Sequence, residues 1–181
     1  MKLPFAALLL IAVSASAVPS GFGADTVAWG SSVNGLRLGI AFGADPSKPT
    51  LRILLQNVGS AVQDVLIGYE TGRGLSYVMK FIATAPDGNK REGFHKSVFT
   101  PIGGVVLPFS VRLTAGAIHE LEFPLTDIIY PSRTTATLDA LVKEGYSVRV
   151  RFETNQATGG WANLSHVWIG TMSSAEIGPV H

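Results

Sequence analysis

The stretch Leu36-Arg37-Leu38-Gly39-Ile40-Ala41-Phe42 decides the fold. Leu36, Leu38, Ile40 and Phe42 occupy every second position, with Arg37, Gly39 and Ala41 between them. Successive side chains of extended backbone point to opposite faces, so a period of two collects the large apolar groups on one side of a half-buried strand. A helix would spread the same residues around its circumference. Asp45-Pro46-Ser47-Lys48-Pro49 then ends the strand, because proline has no amide to give to a ladder.

Toward the C-terminus the same punctuation recurs. Leu51 to Gln56 reads as a strand that stops at Asn57-Val58-Gly59-Ser60, where Asn and Gly tolerate positive φ. Val62 to Tyr69 is a third, closed by Gly72-Arg73-Gly74, and Tyr77 to Ala83 a fourth. Pro86-Asp87-Gly88-Asn89 is a hairpin turn that sends the chain back through Arg91 to Val98. Val106 to Leu113 and Ile118 to Phe123 flank the reversal Thr114-Ala115-Gly116. Tyr146 to Glu153 alternates again, with Val148, Val150 and Phe152 on one face and Arg149 and Arg151 on the other, and a last strand spans about His166 to Ile177. One helix interrupts the pattern. Leu138, Leu141 and Val142 share a face, Thr134 or Thr135 caps the start and Gly145 the end. These spacings predict a mainly β chain, an antiparallel sandwich of about 7–9 strands with one short helix near 135–144.

Toward the N-terminus, Lys2 precedes an apolar run from Leu3 to Val13 and the small residues Ser14-Ala15-Ser16-Ala17, the order of a secretory signal peptide. The run is well short of the roughly 20 residues a membrane helix needs, so residues 1–17 are expected to be a cleaved leader. Ala15 and Ala17 suit the peptidase, which places the cut between Ala17 and Val18. Residues 18–28, rich in Gly, Ala, Pro and Ser, read as a flexible tether, and 29–181 as a single domain. The expected location is secreted or periplasmic, with no membrane span once the leader is gone.

The fourteen Lys and Arg residues less Lys2 equal the thirteen Asp and Glu residues, so the exported chain is near neutral. Its basic residues are scattered, which removes the usual attraction to nucleic acid or anionic membranes. The absence of cysteine excludes disulfides, thiolate zinc sites, iron–sulfur clusters and thiol catalysis. His95, His119, His166 and His181 show no metal-binding spacing, and in strand register His119 and Leu121 point away from Glu120 and Glu122. There is no G-x-S-x-G elbow, and Gly72, Gly74, Gly103 and Gly104 lack the strand-to-helix setting of a phosphate loop. No catalytic residue, cofactor or metal is therefore expected. A hydrolase whose carboxylates come from distant strands is the alternative. Sandwiches bind through end loops, so the segment Asn155 to His166 is the expected contact surface, with Trp161 and His166 as candidate partner-binding residues. The competing reading folds Trp161 and Trp168 inward as core plugs.

The order Trp29-Gly30, Val33-Asn34-Gly35-Leu36, Leu54-Leu55-Gln56-Asn57-Val58-Gly59 and then Asp87-Gly88 resembles the immunoglobulin-like β-sandwich domains of exported bacterial proteins of unassigned role. Some of these are similar to proteinase-inhibitor-like sandwiches. The resemblance runs over most of Trp29 to Ile177 and takes in Leu113-Thr114-Ala115-Gly116 and Gly145-Tyr146-Ser147-Val148-Arg149. The chain lacks the inter-sheet cysteine pair of antibody-type domains, and the helix around Leu138 is an insertion relative to the simplest form. The want of any catalytic constellation together with the sandwich pattern points to a non-catalytic module that recognises a protein or glycan through end loops or sheet edges; a protease inhibitor, which would present an exposed rigid loop such as Asn155 to Gly160, is a further alternative.

Overall fold

The deciding stretch is a strand with the inward face its alternation requires: Leu36, Leu38 and Ile40 are fully buried in β2 (Leu36–Phe42). A computed structural model describes residues 26–71, 74–96, 107–132, 134–154 and 167–178. Within them the chain is mainly β, with antiparallel ladders in three sheets. The first sheet runs β1 (Ala28–Trp29), β2, β3 (Thr50–Asn57) and β9 (Ile118–Pro124). Leu51, Ile53 and Leu55 of β3 continue the inward face, and Leu38 lies opposite Leu55 and Ile40 opposite Ile53. Ala28, which composition assigns to the tether, pairs with Ile40.

The second sheet has the order β11 (Ala136–Thr137), β10 (Ile128–Tyr130), β7 (Lys90–His95), β6 (Met79–Thr84), β12 (Ser147–Thr154) and β13 (Gly170–Ser173). Phe81, Val148, Val150 and Phe152 form its inward face, and all are fully buried. The third sheet is β5 (Gly74–Tyr77), β4 (Gln63–Thr71) and β8 (Leu107–Leu113). Val65, Ile67 and Leu113 carry it into the same apolar cluster as the other two sheets.

Thirteen strands stand among the described residues, against the 7–9 expected. Part of the excess is short edge segments, β1 and β11, of two residues each, too brief to show a period. Another part is a bend. The run expected from Tyr77 to Ala83 divides at Val78, whose amide donates to the Ile67 carbonyl, so β5 stays in the third sheet and β6 passes into the second. The Thr114–Gly116 reversal forms, with Gly116 at φ +77°, but joins strands of different sheets, because β8 pairs with β4 and β9 with β3. The last strand is confined to Gly170–Ser173, flanked by single bridges at Val167 and Ile177.

The one α-helix among the described residues, α1 (Leu138–Lys143), lies within the expected window and buries Leu138 and Leu141. Its cap is Thr137, whose Oγ1 accepts from the Ala140 amide at 3.3 Å, and not Thr134 or Thr135. Pairing of Ala136 and Thr137 with β10 holds the backbone extended up to that residue, which delays the start. Gly145 ends the helix at φ +87°, donating to the Val142 carbonyl.

Candidate functional site

The two crossings between the first and third sheets meet at one side chain. Asn57 ends β3 facing inward and is fully buried. Its Nδ2 donates to the carbonyls of Ala61 at 2.7 Å and Leu113 at 2.9 Å, and its Oδ1 accepts from the Gly59 amide at 3.0 Å. Its backbone donates to the Ala117 carbonyl and accepts from the Gly116 amide. A buried polar side chain is tolerated only when so satisfied, and here it ties the segment 57–63 to the segment 113–118.

A second tie starts at the hairpin tip before β2. Asn34 sits at φ +48° and Gly35 at +83°, conformations that asparagine and glycine reach at low cost. The Gly35 carbonyl accepts from the amides of Val58 and Gly59, and Asn34 Nδ2 donates to the Ile169 carbonyl at 3.0 Å. Trp168, 3% exposed, donates its indole N–H to the Val33 carbonyl at 3.1 Å and its amide to the Asp64 carbonyl. Thr154, at the end of β12, donates to the Trp168 carbonyl at 2.7 Å. Four segments, 31–35, 57–63, 113–118 and 167–170, thus form one hydrogen-bonded end of the molecule.

Two properties of this end stand out. Five large apolar side chains are exposed among the described residues, and four of them, Val58, Val62, Ile118 and Ile169, lie in these segments at 45%, 52%, 51% and 42% exposure. None of the four segments contains Asp, Glu, Lys or Arg. The nearest charges, Asp64 and Arg112, are cross-strand neighbours joined by two hydrogen bonds of 2.8 and 3.0 Å. At the far ends of the strands the turns carry Asp45, Lys48 and Asp87. There, hydrogen bonds from Ser47 to Asp45 and from Asn89 to Asp87 hold both carboxyls below their usual range. The molecule is polar at one end and aliphatic at the other.

Two other places were candidates for chemistry. Along one seam the first sheet abuts β13, and an open groove of about 400 Å³ is lined by Trp29, Ser31 and Val33 on one wall and Thr171, Ser173 and Ser174 on the other. The seam is closed tightly at Gly30, where a Cβ would lie 1.8 Å from the Ser173 carbonyl oxygen. Trp29 lies flat on Gly39, with the Arg37 guanidinium 4.3 Å from its ring centroid. Elsewhere Tyr77 packs edge to face on His95 and on Phe123, and His95 lies tilted against Phe123, with centroids 4.8 to 5.3 Å apart. Burial lowers the His95 pKa, opposed by Asp127, and raises that of Tyr77. Burial likewise lowers His119, whose Nε2, like His95 Nδ1, has no partner among the described residues. Among the described residues no three His, Asp or Glu side chains are grouped to hold a metal ion.

Trp161 and His166 lie outside the described residues, as do Ala17, Val18 and the segment Asn155 to Gly160. The described residues flanking the expected contact segment, Thr154 and Val167, both belong to the aliphatic end. Trp168 is a core plug, as the competing reading has it. As expected from alternation, Leu121 and Phe123 turn toward the core while Glu120 and Glu122 are exposed. Sequence reasoning missed Val58, Val62, Ile118 and Ile169. The signal available was the want of charge in the connections 58–62 and 114–117. No helix among the described residues is long and apolar enough to cross a membrane. No family model, curated protein or solved structure matches the chain.

Proposed function

We propose that the chain is an exported, non-catalytic binding module of immunoglobulin-like sandwich architecture that engages its partner through the uncharged loop end. The observation that carries this reading is the gathering of Val58, Val62, Ile118 and Ile169 on segments held in place by Asn34 and Asn57. Water-facing aliphatic groups scattered singly need no explanation, but a set of them on one charge-free, internally bonded end marks an interaction surface. The groups are held before a partner arrives, so little ordering accompanies binding. The architecture is supported by three antiparallel sheets sharing one core, and the leader supports export.

The test is position-specific photocrosslinking in the producing cell, with a benzophenone side chain at Val62, Ile169 or, as a control, Asp87. Adducts are expected at the first two positions and not at the third. Equal adduct formation at all three, or none at Val62 and Ile169, would remove the end from consideration as a binding surface.

A further inference from the structure

We propose that Asn34 is a site of spontaneous covalent modification, where the side-chain amide is lost through a cyclic imide with Gly35 and the hairpin tip acquires a carboxylate. The reaction needs an asparagine followed by an unshielded, unbonded backbone nitrogen, and a side chain able to swing onto it. Asn34-Gly35 is the one Asn-Gly pair in the chain. It forms the two-residue loop before β2, closed by the Leu36 amide on the Val33 carbonyl at 3.0 Å and the Val33 amide on the Leu36 carbonyl at 2.7 Å. Both residues have positive φ, +48° and +83°, the combination of a type I′ turn. Such a turn bonds its outer residues, and the Gly35 amide has no hydrogen-bond partner among the described residues. Asn34 is exposed, and the bond from its Nδ2 to the Ile169 carbonyl is the single one its side chain makes among the described residues.

In the reaction, base takes the proton of the Gly35 amide, and the nitrogen's electron pair closes on Asn34 Cγ to make a five-membered ring, helped by the closeness of neighbours in one chain. The Cγ–Nδ2 bond breaks, and Nδ2 leaves as ammonia with a proton from water. Water then opens the imide at either carbonyl. Breaking the new Cγ–N bond leaves aspartate at position 34; breaking the original peptide C–N bond leaves isoaspartate, in which the chain runs on through Cγ. One water is consumed and one ammonia released, and no oxidant or reductant is needed. The comparable places among the described residues are closed. Asp87-Gly88 has the same backbone, but the Gly88 amide donates to the Ala85 carbonyl at 2.8 Å, and bonds from Asn89 keep the Asp87 carboxyl ionised, a poor target for a nucleophile. Asn57 is fully buried, its Nδ2 is shared by two carbonyls, and the branched Val58 follows it. Asn89 gives its Nδ2 to Asp87 at 2.7 Å, and Lys90 after it opens a strand.

The place of the product gives it its effect. Asn34 offers its donor to the Ile169 carbonyl and Gly35 its carbonyl to the amides of Val58 and Gly59, so the tip joins three of the four segments of the uncharged end. Either product has lost the donor and turns a carboxylate toward a carbonyl, and isoaspartate also adds a backbone carbon to a two-residue turn. Conversion therefore loosens the segment 167–170 and sets a negative charge where the four segments have none. None of this depends on what that end binds.

The full chain would be held at 37 °C at pH 7 and pH 9, folded and in 8 M urea, and the tryptic peptide ending at Arg37 followed by mass spectrometry with electron-transfer fragmentation, which tells isoaspartate from aspartate. In urea Asn34 is expected to convert, faster at pH 9 than at pH 7. In the folded chain the exposed bond to Ile169 slows the reaction by about tenfold at most, so after about ten half-lives of the unfolded reaction roughly half of Asn34 is expected to have converted. Isoaspartate should be the larger share, and Asn57 and Asn89 should be intact. An unconverted Asn34 at that point, conversion no faster than at Asn89, or conversion indifferent to pH would overturn the proposal. Hydrogen exchange on the converted chain and on an N34D variant reads the consequence. The Trp168 amide, bonded to the Asp64 carbonyl, is expected to exchange several-fold faster in both than in the starting chain, and the Gly88 amide at an unchanged rate. Unchanged exchange at Trp168 in the converted chain would overturn the loosening assigned to the loss of the Asn34 amide.

Discussion

Replacing Asn57 with Ala removes the tie on which the aliphatic end depends. The side chain is fully buried and makes three hydrogen bonds, to the carbonyls of Ala61 and Leu113 and from the Gly59 amide. The Gly59 amide keeps the Gly35 carbonyl as a partner, so its loss is small. The carbonyls lose a donor they have at 2.7 and 2.9 Å, and that of Leu113 does so in the interior. At about 1 kcal/mol net for each bond, and up to about 2 where an interior carbonyl is stripped of its donor, the loss is roughly 3 kcal/mol. For a domain of this size that lowers the melting temperature by about 6–12 °C. Thermal and urea denaturation followed by circular dichroism would measure it, with an unchanged urea slope expected because the same surface unfolds. Asn57→Asp sharpens the test. It keeps the acceptor for Gly59 but turns a carboxylate toward two carbonyls, so it should cost more than Asn57→Ala. A drop below about 2 °C for Asn57→Ala, or an Asp variant as stable as the Ala variant, would refute the role given to the amide donor.

Other perturbations test other parts of the molecule. Gly30→Ala drives a Cβ to 1.8 Å from the Ser173 carbonyl oxygen, backbone against backbone, and is expected to cost about 3 kcal/mol in urea denaturation as the seam is forced apart. Trp168→Phe keeps the ring near Phe152 but loses the bond to the Val33 carbonyl, which retains the Leu36 amide; a cost of about 1 kcal/mol is expected, and a neutral outcome would mean that the indole N–H holds nothing. The folded-state pKa values of His95 and His119 lie below the unfolded value, so the unfolded chain takes up protons first. Stability is therefore complete above about pH 6.5 and falls as the pH drops from there toward 5, above the window in which Asp45, Asp87 and Glu120 titrate. The urea midpoint at pH 7.5 and pH 5.0 reads this out, and the combined His95→Phe and His119→Leu variant should flatten the difference.

What was legible in the sequence was whatever a period of two can carry. Leu36, Leu38 and Ile40, and Val148, Val150 and Phe152, declare their faces because each strand is long enough to repeat its pattern, with small or polar residues between the large apolar ones. Turns were legible where a residue type is required: Asp87-Gly88-Asn89 at the β6–β7 hairpin, Gly116 and Gly145 at positive φ. Pairing was not. Nothing in Tyr77-Val78-Met79 marks the point at which the chain leaves one sheet for another, since the bend is imposed by Ile67, a residue eleven positions away that offers its carbonyl. The reversal at Thr114–Gly116 looks like any hairpin, although its two strands part company, and the crossing is held by Asn57, whose side-chain amide reaches Leu113, 56 residues away, and whose backbone bonds Gly116 and Ala117.

The site was hidden for a related reason. Val58, Val62, Ile118 and Ile169 each sit beside a turn, where one aliphatic residue is unremarkable, and they become a surface only because sheet order gathers four such turns at one end. Trp161 and His166 drew attention as large or titratable side chains in one loop, which is how a site looks when it is contiguous in sequence. A site assembled from small aliphatic groups has no such mark, and its one trace along the chain is negative. The turns 43–49 and 85–89 carry Asp45 and Lys48 or Asp87, while the connections 58–62, 114–117 and 155–169 carry none. In an antiparallel fold consecutive turns fall at opposite ends, so charge present in one set and absent from the other is a difference between the two ends of the folded molecule. Selection for solubility alone would supply charge to both sets, and its absence from one is the feature that a water-facing role leaves unexplained and a docking role accounts for.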